Sequence, residues 1–114
     1  EKTVAWYRDV LGMDPNDYNG FDFLHRESAA RFPEAARTIF APFADDSEYF
    51  KPSTLPFMFN LVVDDLDAMI VRAEAAGAVF LQARENTDYG DFAWLLDPDG
   101  RKVELWEPKE PALS

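Results

Sequence analysis

The alternation of apolar and polar residues is clearest in the second half of the chain. Residues 57–63, FMFNLVV, form a nearly continuous apolar run that is typical of a buried strand. Asp64 and Asp65 follow, and they predict the start of a helix, because acidic side chains there can cap free backbone amides. The next apolar residues recur three or four positions apart until Gly77, where we predict that the helix ends.

Three further strands are predicted after this helix. Residues 78–84 form the first, and residues 91–96 and 102–107 flank the short linker DPDG. Pro98 and Gly100 suit the second and fourth positions of a type I turn. The last two segments are therefore predicted to pair as a hairpin.

The first half shows a similar but weaker pattern. Residues 2–12 predict a helix that closes at Gly12, where glycine adopts a left-handed conformation at little cost. Residues 21–26 and 37–43 predict strands, and residues 44–56 predict a long crossing loop.

The two halves therefore echo one another, since each has a helix followed by about three strands. We interpret the chain as a duplicated βαβββ unit. The first module is assigned to residues 1–50, with its leading strand not visible, and the second module to residues 51–114.

Composition mainly excludes partners. The 114 residues suit one domain or a tight pair of small halves, and 47% of them are hydrophobic, which is enough for a core. Cysteine is absent, so we predict neither disulfides nor thiolate metal sites, and this suits the cytoplasm. No apolar run approaches the ~20 residues that span a bilayer. The formal net charge of −11 would repel nucleic acid and anionic membranes, so we predict neither as a partner.

Two segments carry a resemblance to a known superfamily. VVDDLDAMIVRAEAAGA followed by YGDFAWLLDPDGRKVELWEP resembles the second module of the vicinal oxygen chelate proteins, and AWYRDVLGM resembles the helix of their first module. That superfamily includes glyoxalase I, bleomycin-resistance proteins and extradiol dioxygenases. The resemblance implies an α+β fold in which paired βαβββ modules form a cupped mixed sheet around a pocket, often in a homodimer. In its metalloenzymes, the strands that begin and end each module hold a divalent metal such as nickel, zinc, manganese or iron.

Only one of the readable ligand positions implied by this resemblance is filled. Glu104 matches the carboxylate ligand of the last strand, but the matching first-strand position is Met58, whose thioether is a weak ligand for these ions. The window in the first module centres on Ile39 and Phe40, and the fourth ligand would lie before residue 1. Since catalytic sites generally need about three protein ligands, we expect no complete metal site.

The aromatic content points instead to an organic ligand. Strand alternation places Glu104 and Trp106 on one face, and Val103 and Leu105 on the other. If Glu104 faces the cup, the pocket is aromatic with one acid, which suits a flat or cationic molecule. The residues that we predict to bind the ligand are Met58, Asn60, Trp94, Glu104 and Trp106.

Other polar residues keep alternative interpretations. Glu104 is either a pocket residue, or an exposed strand carboxylate or a partner for Arg101 or Lys102. His25, which is the only histidine, is interpreted as a polar residue at a strand end, with a general base as the alternative. A run of acids on the crossing loop predicts a solvated surface or, alternatively, a cation site: Asp45, Asp46 and Glu48.

Three functions follow from these patterns. The favoured hypothesis is a small-molecule-binding protein without a metal, similar to the bleomycin-resistance proteins, that takes a cationic or aromatic organic ligand. The alternative is a divalent-metal-dependent lyase or dioxygenase that uses Glu104 as a ligand. The third is an enzyme that uses the cup without a metal, with His25 or Glu104 as its acid or base.

Overall fold

A computed structural model describes residues 2–39, 41–82 and 84–109. Within these residues the chain forms three helices and four strands, in the order α1 (Lys2–Leu11), α2 (His25–Arg31), β1 (Met58–Val62), α3 (Leu66–Ala75), β2 (Glu85–Thr87), β3 (Gly90–Leu96) and β4 (Lys102–Pro108). The strands form one mixed sheet in the order β1-β4-β3-β2. Strand β1 runs parallel to β4, whereas β3 is antiparallel to both of its neighbours. The predicted α+β class with a mixed sheet is confirmed.

The predicted helix boundaries and hairpin are also confirmed. The side chain of Asp65 caps α3 by accepting a hydrogen bond of 3.0 Å from the amide of Ala68. Gly12, directly after α1, has a φ of 75°, which glycine adopts without a steric penalty. The amide of Gly100 donates to the carbonyl oxygen of Asp97 at 3.1 Å, which closes the predicted turn between β3 and β4. None of the described helices is long and apolar enough to cross a membrane.

Helices α1 and α3 cover one face of the sheet and form the core with it. Val103 and Leu105 point into this core, as the strand alternation predicted. Each such side chain contributes roughly 1.5–3 kcal/mol when it is fully buried. The buried cluster consists of Tyr7, Val10, Leu11, Leu66, Ala73, Ala93, Leu95, Val103 and Leu105.

The two strands predicted in the first half are wrong. Residues 21–24 are irregular and lead into α2, and residues 37–39 and 41–43 are irregular as well, whereas Phe40 lies outside the described residues. An alternating segment becomes a strand only when a neighbouring strand accepts its backbone hydrogen bonds, and the four strands of the described sheet all come from the second half. Helix α2 buries none of its residues. The division into modules at residues 1–50 and 51–114 stays a prediction.

The strand predicted at residues 78–84 is mostly wrong too. Phe80 forms an isolated bridge to Leu95, and the amide of Leu81 donates to the carbonyl oxygen of Trp94 at 2.9 Å. The regular strand begins later, at Glu85, and its pairing with β3 runs from Glu85 opposite Phe92 to Thr87 opposite Gly90.

Candidate ligand-binding site

The face of the sheet opposite the core gathers all five predicted ligand-binding residues. Asn60 lies opposite Glu104 in the β1–β4 pair, and Trp94 lies opposite Glu104 in the β3–β4 pair. Because residues paired across strands point to the same side of a sheet, these side chains share one face. We call it the cup face, and its side chains include Met58, Asn60, Phe92, Trp94, Lys102, Glu104 and Trp106.

Glu104 lies at the centre of the cup face and is only 6% exposed. Its Oε1 atom accepts a hydrogen bond from the side-chain amide nitrogen (Nδ2) of Asn60. Its Oε2 atom accepts hydrogen bonds from the hydroxyl of Tyr49 and from the indole nitrogen of Trp94, the latter at 2.8 Å. Three donors therefore compensate the burial of this carboxylate, which is not the exposed strand residue of the alternative interpretation.

Lys102 supplies a second buried charge on the same face and is 3% exposed. Its Nζ atom donates to the carbonyl oxygen of Tyr49 at 2.5 Å and lies 5.0 Å from the centroid of the Tyr49 ring and 5.9 Å from that of the Trp94 ring. These distances are typical of cation–π contacts. Burial lowers the pKa of Lys102, and the charge of Glu104 acts in the opposite direction. Lys102 is thus a basic neighbour of Glu104.

Arg101, the other basic residue considered for Glu104, is engaged elsewhere. Its Nη1 atom lies 3.0 Å from the carboxylate of Asp97 and 2.9 Å from that of Asp99. Both of these acids belong to the β3–β4 turn, so Arg101 ties the turn together instead of balancing the cup face.

Tyr49 also contacts the cup face, and like Phe92 and Lys102 it was given no ligand-binding role in the sequence analysis. It comes from the irregular segment 41–57, and its side chain reaches across the sheet to Glu104 while staying 39% exposed. Its ring stacks on Phe43, with centroids 5.3 Å apart and planes at 25°. Burial raises the pKa of Tyr49, and the hydrogen bond to Glu104 raises it further. No local pattern marks such a contact, whereas the matched parity of Lys102 and Glu104 in β4 is a signal that could have placed Lys102 on this face.

An aromatic row extends from the Glu104 cluster toward the other end of the cup face. The ring centroids of Trp94 and Phe92 lie 6.1 Å apart with planes at 13°, and those of Phe92 and Trp106 lie 6.1 Å apart with planes at 6°. The indole nitrogen of Trp94 donates to Glu104, and that of Trp106 donates to the carbonyl oxygen of Tyr89 at 2.9 Å. Hydrogen bonds therefore hold both indoles in place, while Phe92 and Trp106 are only partly buried.

Comparison with known proteins adds to this picture. The sequence profile of the glyoxalase-like domain family matches residues 1–106. This chain belongs to the glyoxalase-like domain family. The predicted resemblance to the vicinal oxygen chelate superfamily is thereby confirmed. None of the curated protein sequences matches this glyoxalase-like domain.

Solved structures show the same fold at low sequence identity. The antibiotic-binding protein TnmS3 from Streptomyces sp. CB03234 is 20% identical with a TM-score of 0.55, and the match covers 95% of this glyoxalase-like domain and 85% of TnmS3. A glyoxalase/bleomycin resistance protein/dioxygenase superfamily member from Sphaerobacter thermophilus is 20% identical with a TM-score of 0.50, covering 93% and 86% of the two chains. A protein from the mobile metagenome of V. pseudocholerae is 18% identical with a TM-score of 0.50, covering 91% and 81%. At these identities the likeness concerns the fold alone.

The described residues of this glyoxalase-like domain do not fit a divalent metal at Glu104. Both carboxylate oxygens already accept hydrogen bonds, and the Lys102 ammonium lies on the same face. Met58 is opposite Lys102 and offers only a thioether. Ile39 is 67% exposed in irregular chain, and Phe40 is outside the described residues. The part of the chain that the structure describes contains no group of three or more His, Cys, Asp or Glu that could hold a metal ion.

The remaining polar candidates lie away from the cup cluster. His25 begins α2 and is exposed, so its interpretation as a residue at a strand end is wrong. Asp45 and Asp46 are exposed on the irregular segment 41–57, and Glu48 pairs with Lys51 at 2.6 Å. These positions agree with the solvated loop that was predicted for the three acids.

A cavity of about 320 Å³ lies on the other side of the glyoxalase-like domain, beside β1 and between α2 and α3. Its walls are mostly apolar and include Leu61 and Leu105, which belong to the core side of the sheet, and the ion pair of Arg31 and Asp64 lies at this cavity. None of the five predicted ligand-binding residues lines it.

Proposed function

We propose that this glyoxalase-like domain binds a flat aromatic organic molecule on its cup face without the help of a metal ion. The observation that carries the proposal is the row of three nearly parallel rings formed by Trp94, Phe92 and Trp106. A flat ligand can lie parallel to the partly exposed rings of Phe92 and Trp106, whereas a bulky saturated molecule cannot.

The energetics of the row favour this ligand class. Aromatic pairs contribute about 0.5–1.5 kcal/mol beyond their buried area, and offset stacking is among their preferred arrangements. The indoles of Trp94 and Trp106 are already held by hydrogen bonds, so little side-chain freedom is lost when a ligand binds. The partial exposure of Phe92 and Trp106 leaves a route for the ligand to reach them.

The fold gives further support for an organic ligand. TnmS3, which shares this fold, is an antibiotic-binding protein. The cup face also carries the mostly aromatic lining with a few polar groups that is common in small-molecule sites.

Charge on the cup face favours a neutral ligand over a cationic one. The carboxylate of Glu104 is met by donors from Asn60, Tyr49 and Trp94, and the Lys102 ammonium already lies beside the rings of Tyr49 and Trp94. A ligand cation would have to displace that ammonium. The homodimer and the cytoplasmic location stay predictions.

The proposal can be tested by NMR with 2-naphthol and its saturated counterpart, decahydro-2-naphthol. The chain has three tryptophans, and the indole N–H signals of Trp94 and Trp106 should shift through ring currents when 2-naphthol is added. Trp6 packs beside the core from α1, so its signal is an internal reference that should stay in place. We expect decahydro-2-naphthol to bind at least about tenfold more weakly, which corresponds to about 1.4 kcal/mol.

Matched variants localise the binding. Phe92→Ala removes the middle ring of the row and should weaken 2-naphthol binding about tenfold. Phe59→Ala is the control, because Phe59 is an exposed aromatic residue of β1 on the side of Val103 and not on the cup face. Equal binding of the flat and the saturated compound, or equal loss in both variants, would contradict the proposal.

A further inference from the structure

We propose that Tyr49 occupies the place of a phenolic ligand, and that the molecule bound on the cup face carries an aromatic hydroxyl group that donates to Glu104 in place of Tyr49. This inference rests on the proposed function and specifies the chemical class of its ligand.

The phenol of Tyr49 makes three contacts that depend on its ring and hydroxyl alone. The hydroxyl donates to Glu104, the ring face lies 5.0 Å from the Nζ atom of Lys102, and the ring stacks on Phe43 at 5.3 Å. None of these three contacts uses the backbone of Tyr49, so a free phenol can form the same set.

The side chain of Tyr49 can leave Glu104 while its backbone stays in place. Tyr49 lies in irregular chain, where short-range hydrogen bonds join Ser47 to Ala44 and Lys51 to Glu48, and its carbonyl oxygen accepts from the Lys102 Nζ atom at 2.5 Å. Its side chain is the most exposed of those that donate to the Glu104 Oε2 atom, at 39% against 2% for Trp94. Residues on exposed irregular segments exchange more readily than residues in the core, because fewer buried contacts hold them.

Trp94 connects this place to the aromatic row. Its indole nitrogen donates to the same Oε2 atom that accepts the hydroxyl of Tyr49, and its ring is the first of the row that continues through Phe92 to Trp106. A hydroxylated fused-ring molecule can therefore satisfy Glu104 at one end and follow the row at the other.

The carboxylate of Glu104 favours a ligand that carries a hydrogen-bond donor. When a ligand displaces Tyr49 and covers the site, water is excluded and Oε2 of Glu104 lacks a donor unless the ligand supplies one, and a buried acceptor without its partner is destabilised. A hydroxyl restores the hydrogen bond, whereas a methyl ether offers only another acceptor. The cationic position beside Trp94 is held by Lys102, which leaves an O–H donor as the fitting group.

The test compares 2-naphthol with 2-methoxynaphthalene, a pair that differs only in whether the oxygen can donate a hydrogen bond. Dissociation constants are measured by calorimetry for the wild type, Tyr49→Ala and Tyr49→Phe. We expect the wild type to prefer 2-naphthol by about tenfold. We expect Tyr49→Ala to bind 2-naphthol about tenfold more tightly than the wild type, because the competing phenol is gone.

Tyr49→Phe keeps the ring and removes only the hydroxyl, so it provides a second variant in case Tyr49→Ala does not fold. It should tighten 2-naphthol binding about threefold, since the competing ring is then held less firmly. Phe50→Ala is the control: Phe50 packs against Phe43 in the same segment, and its loss should leave the affinity for 2-naphthol unchanged.

The outcomes distinguish a failure of this inference from a failure of the proposed function. Equal binding of both compounds by the wild type, or weaker binding of 2-naphthol by both Tyr49 variants, would overturn the phenol inference and leave the aromatic site standing. Failure of both compounds to bind the wild type and the variants would overturn both proposals. The expected tightening for 2-naphthol alone supports the exchange of Tyr49 for a phenolic ligand.

Discussion

Two tyrosine–carboxylate pairs lie among the residues that the structure describes, and they are built differently. Tyr7 of α1 donates to the Oδ2 atom of Asp97 at 2.7 Å, at the end of the β3–β4 hairpin. Asp97 also accepts from the backbone amides of Asp99 at 2.9 Å and of Arg101 at 3.0 Å, and from the guanidinium of Arg101 at 3.0 Å. Tyr7 is 8% exposed and Asp97 is 5% exposed, so this pair is part of the core.

The second pair joins Tyr49 to Glu104 on the cup face. Here the donors to the carboxylate are the side chains of Asn60, Trp94 and Tyr49, and the tyrosine comes from irregular chain and is 39% exposed. Side-chain donors can rotate away from a carboxylate, whereas backbone amides in a closed turn cannot. The comparison indicates that the first pair stabilises the fold, whereas the second has the side-chain donors and the exposure that the proposed exchange of Tyr49 requires.

The largest effect that we expect comes from Asp97→Ala, because it leaves the donors of Tyr7 and Arg101 without their buried acceptor. The free energy of unfolding should fall by about 3 kcal/mol. Urea denaturation followed by circular dichroism measures it. Asp99→Ala is the control, since Asp99 contacts the same Arg101 at the surface and should lose only about 0.5 kcal/mol. Equal losses in the two variants would show that the buried turn has no special role.

The next largest effect is expected when one tyrosine hydroxyl is removed from each pair and the two losses in the free energy of unfolding are compared. Tyr7→Phe should lower the free energy of unfolding by about 1.5 kcal/mol, because it removes a buried hydrogen bond to a charged group. Tyr49→Phe should lower it by less than about 0.5 kcal/mol, because water can reach the partly exposed site and replace the hydroxyl. Parallel urea titrations test this, and similar losses would contradict the distinction between a fixed and an exchangeable tyrosine.

The smallest effect that we expect is a change in how the stability of the fold depends on pH in the acidic range. Burial opposes ionisation of Asp97, but the hydrogen bonds from Tyr7, Arg101 and Asp99 outweigh it and lower the pKa of Asp97. The unfolded chain therefore binds a proton at this residue before the native protein does, and stability falls as the pH drops below the ordinary aspartate pKa of about 3.9. We expect Asp97→Asn to show a flatter dependence of stability on pH between about 5 and 2. An unchanged slope in urea titrations across this range would contradict the assigned role of Asp97.

Local patterns predicted the second half of the molecule well. The cap of Asp65, the turn closed by Gly100 and the side of the sheet taken by Glu104 all follow from interactions within a few residues or from strand alternation. Asn60 was predicted as a ligand-binding residue, and the β1–β4 register places it opposite Glu104, where the two side chains hydrogen-bond.

The first half was predicted poorly because its segments depend on distant partners. Residues 21–26 and 37–43 alternate as strands do, yet α2 takes up part of the first segment and the described part of the second is irregular. An alternating pattern specifies a strand only together with the neighbour that pairs with it, and the pattern itself does not name that neighbour.

By itself, the sequence determined the α+β class, the hairpin and which residues of β4 share a face, because these follow from short-range periodicity and turn chemistry. Its motifs also carried the resemblance to the superfamily. Only the tertiary structure decided what surrounds Glu104. The approach of Tyr49 from 55 positions away, and the burial of Lys102 between the rings of Tyr49 and Trp94, arise where separate segments meet. Such long-range contacts depend on how distant segments pack, and they make Glu104 a buried hydrogen-bond acceptor where the sequence had left open a pocket residue, an exposed carboxylate and a metal ligand.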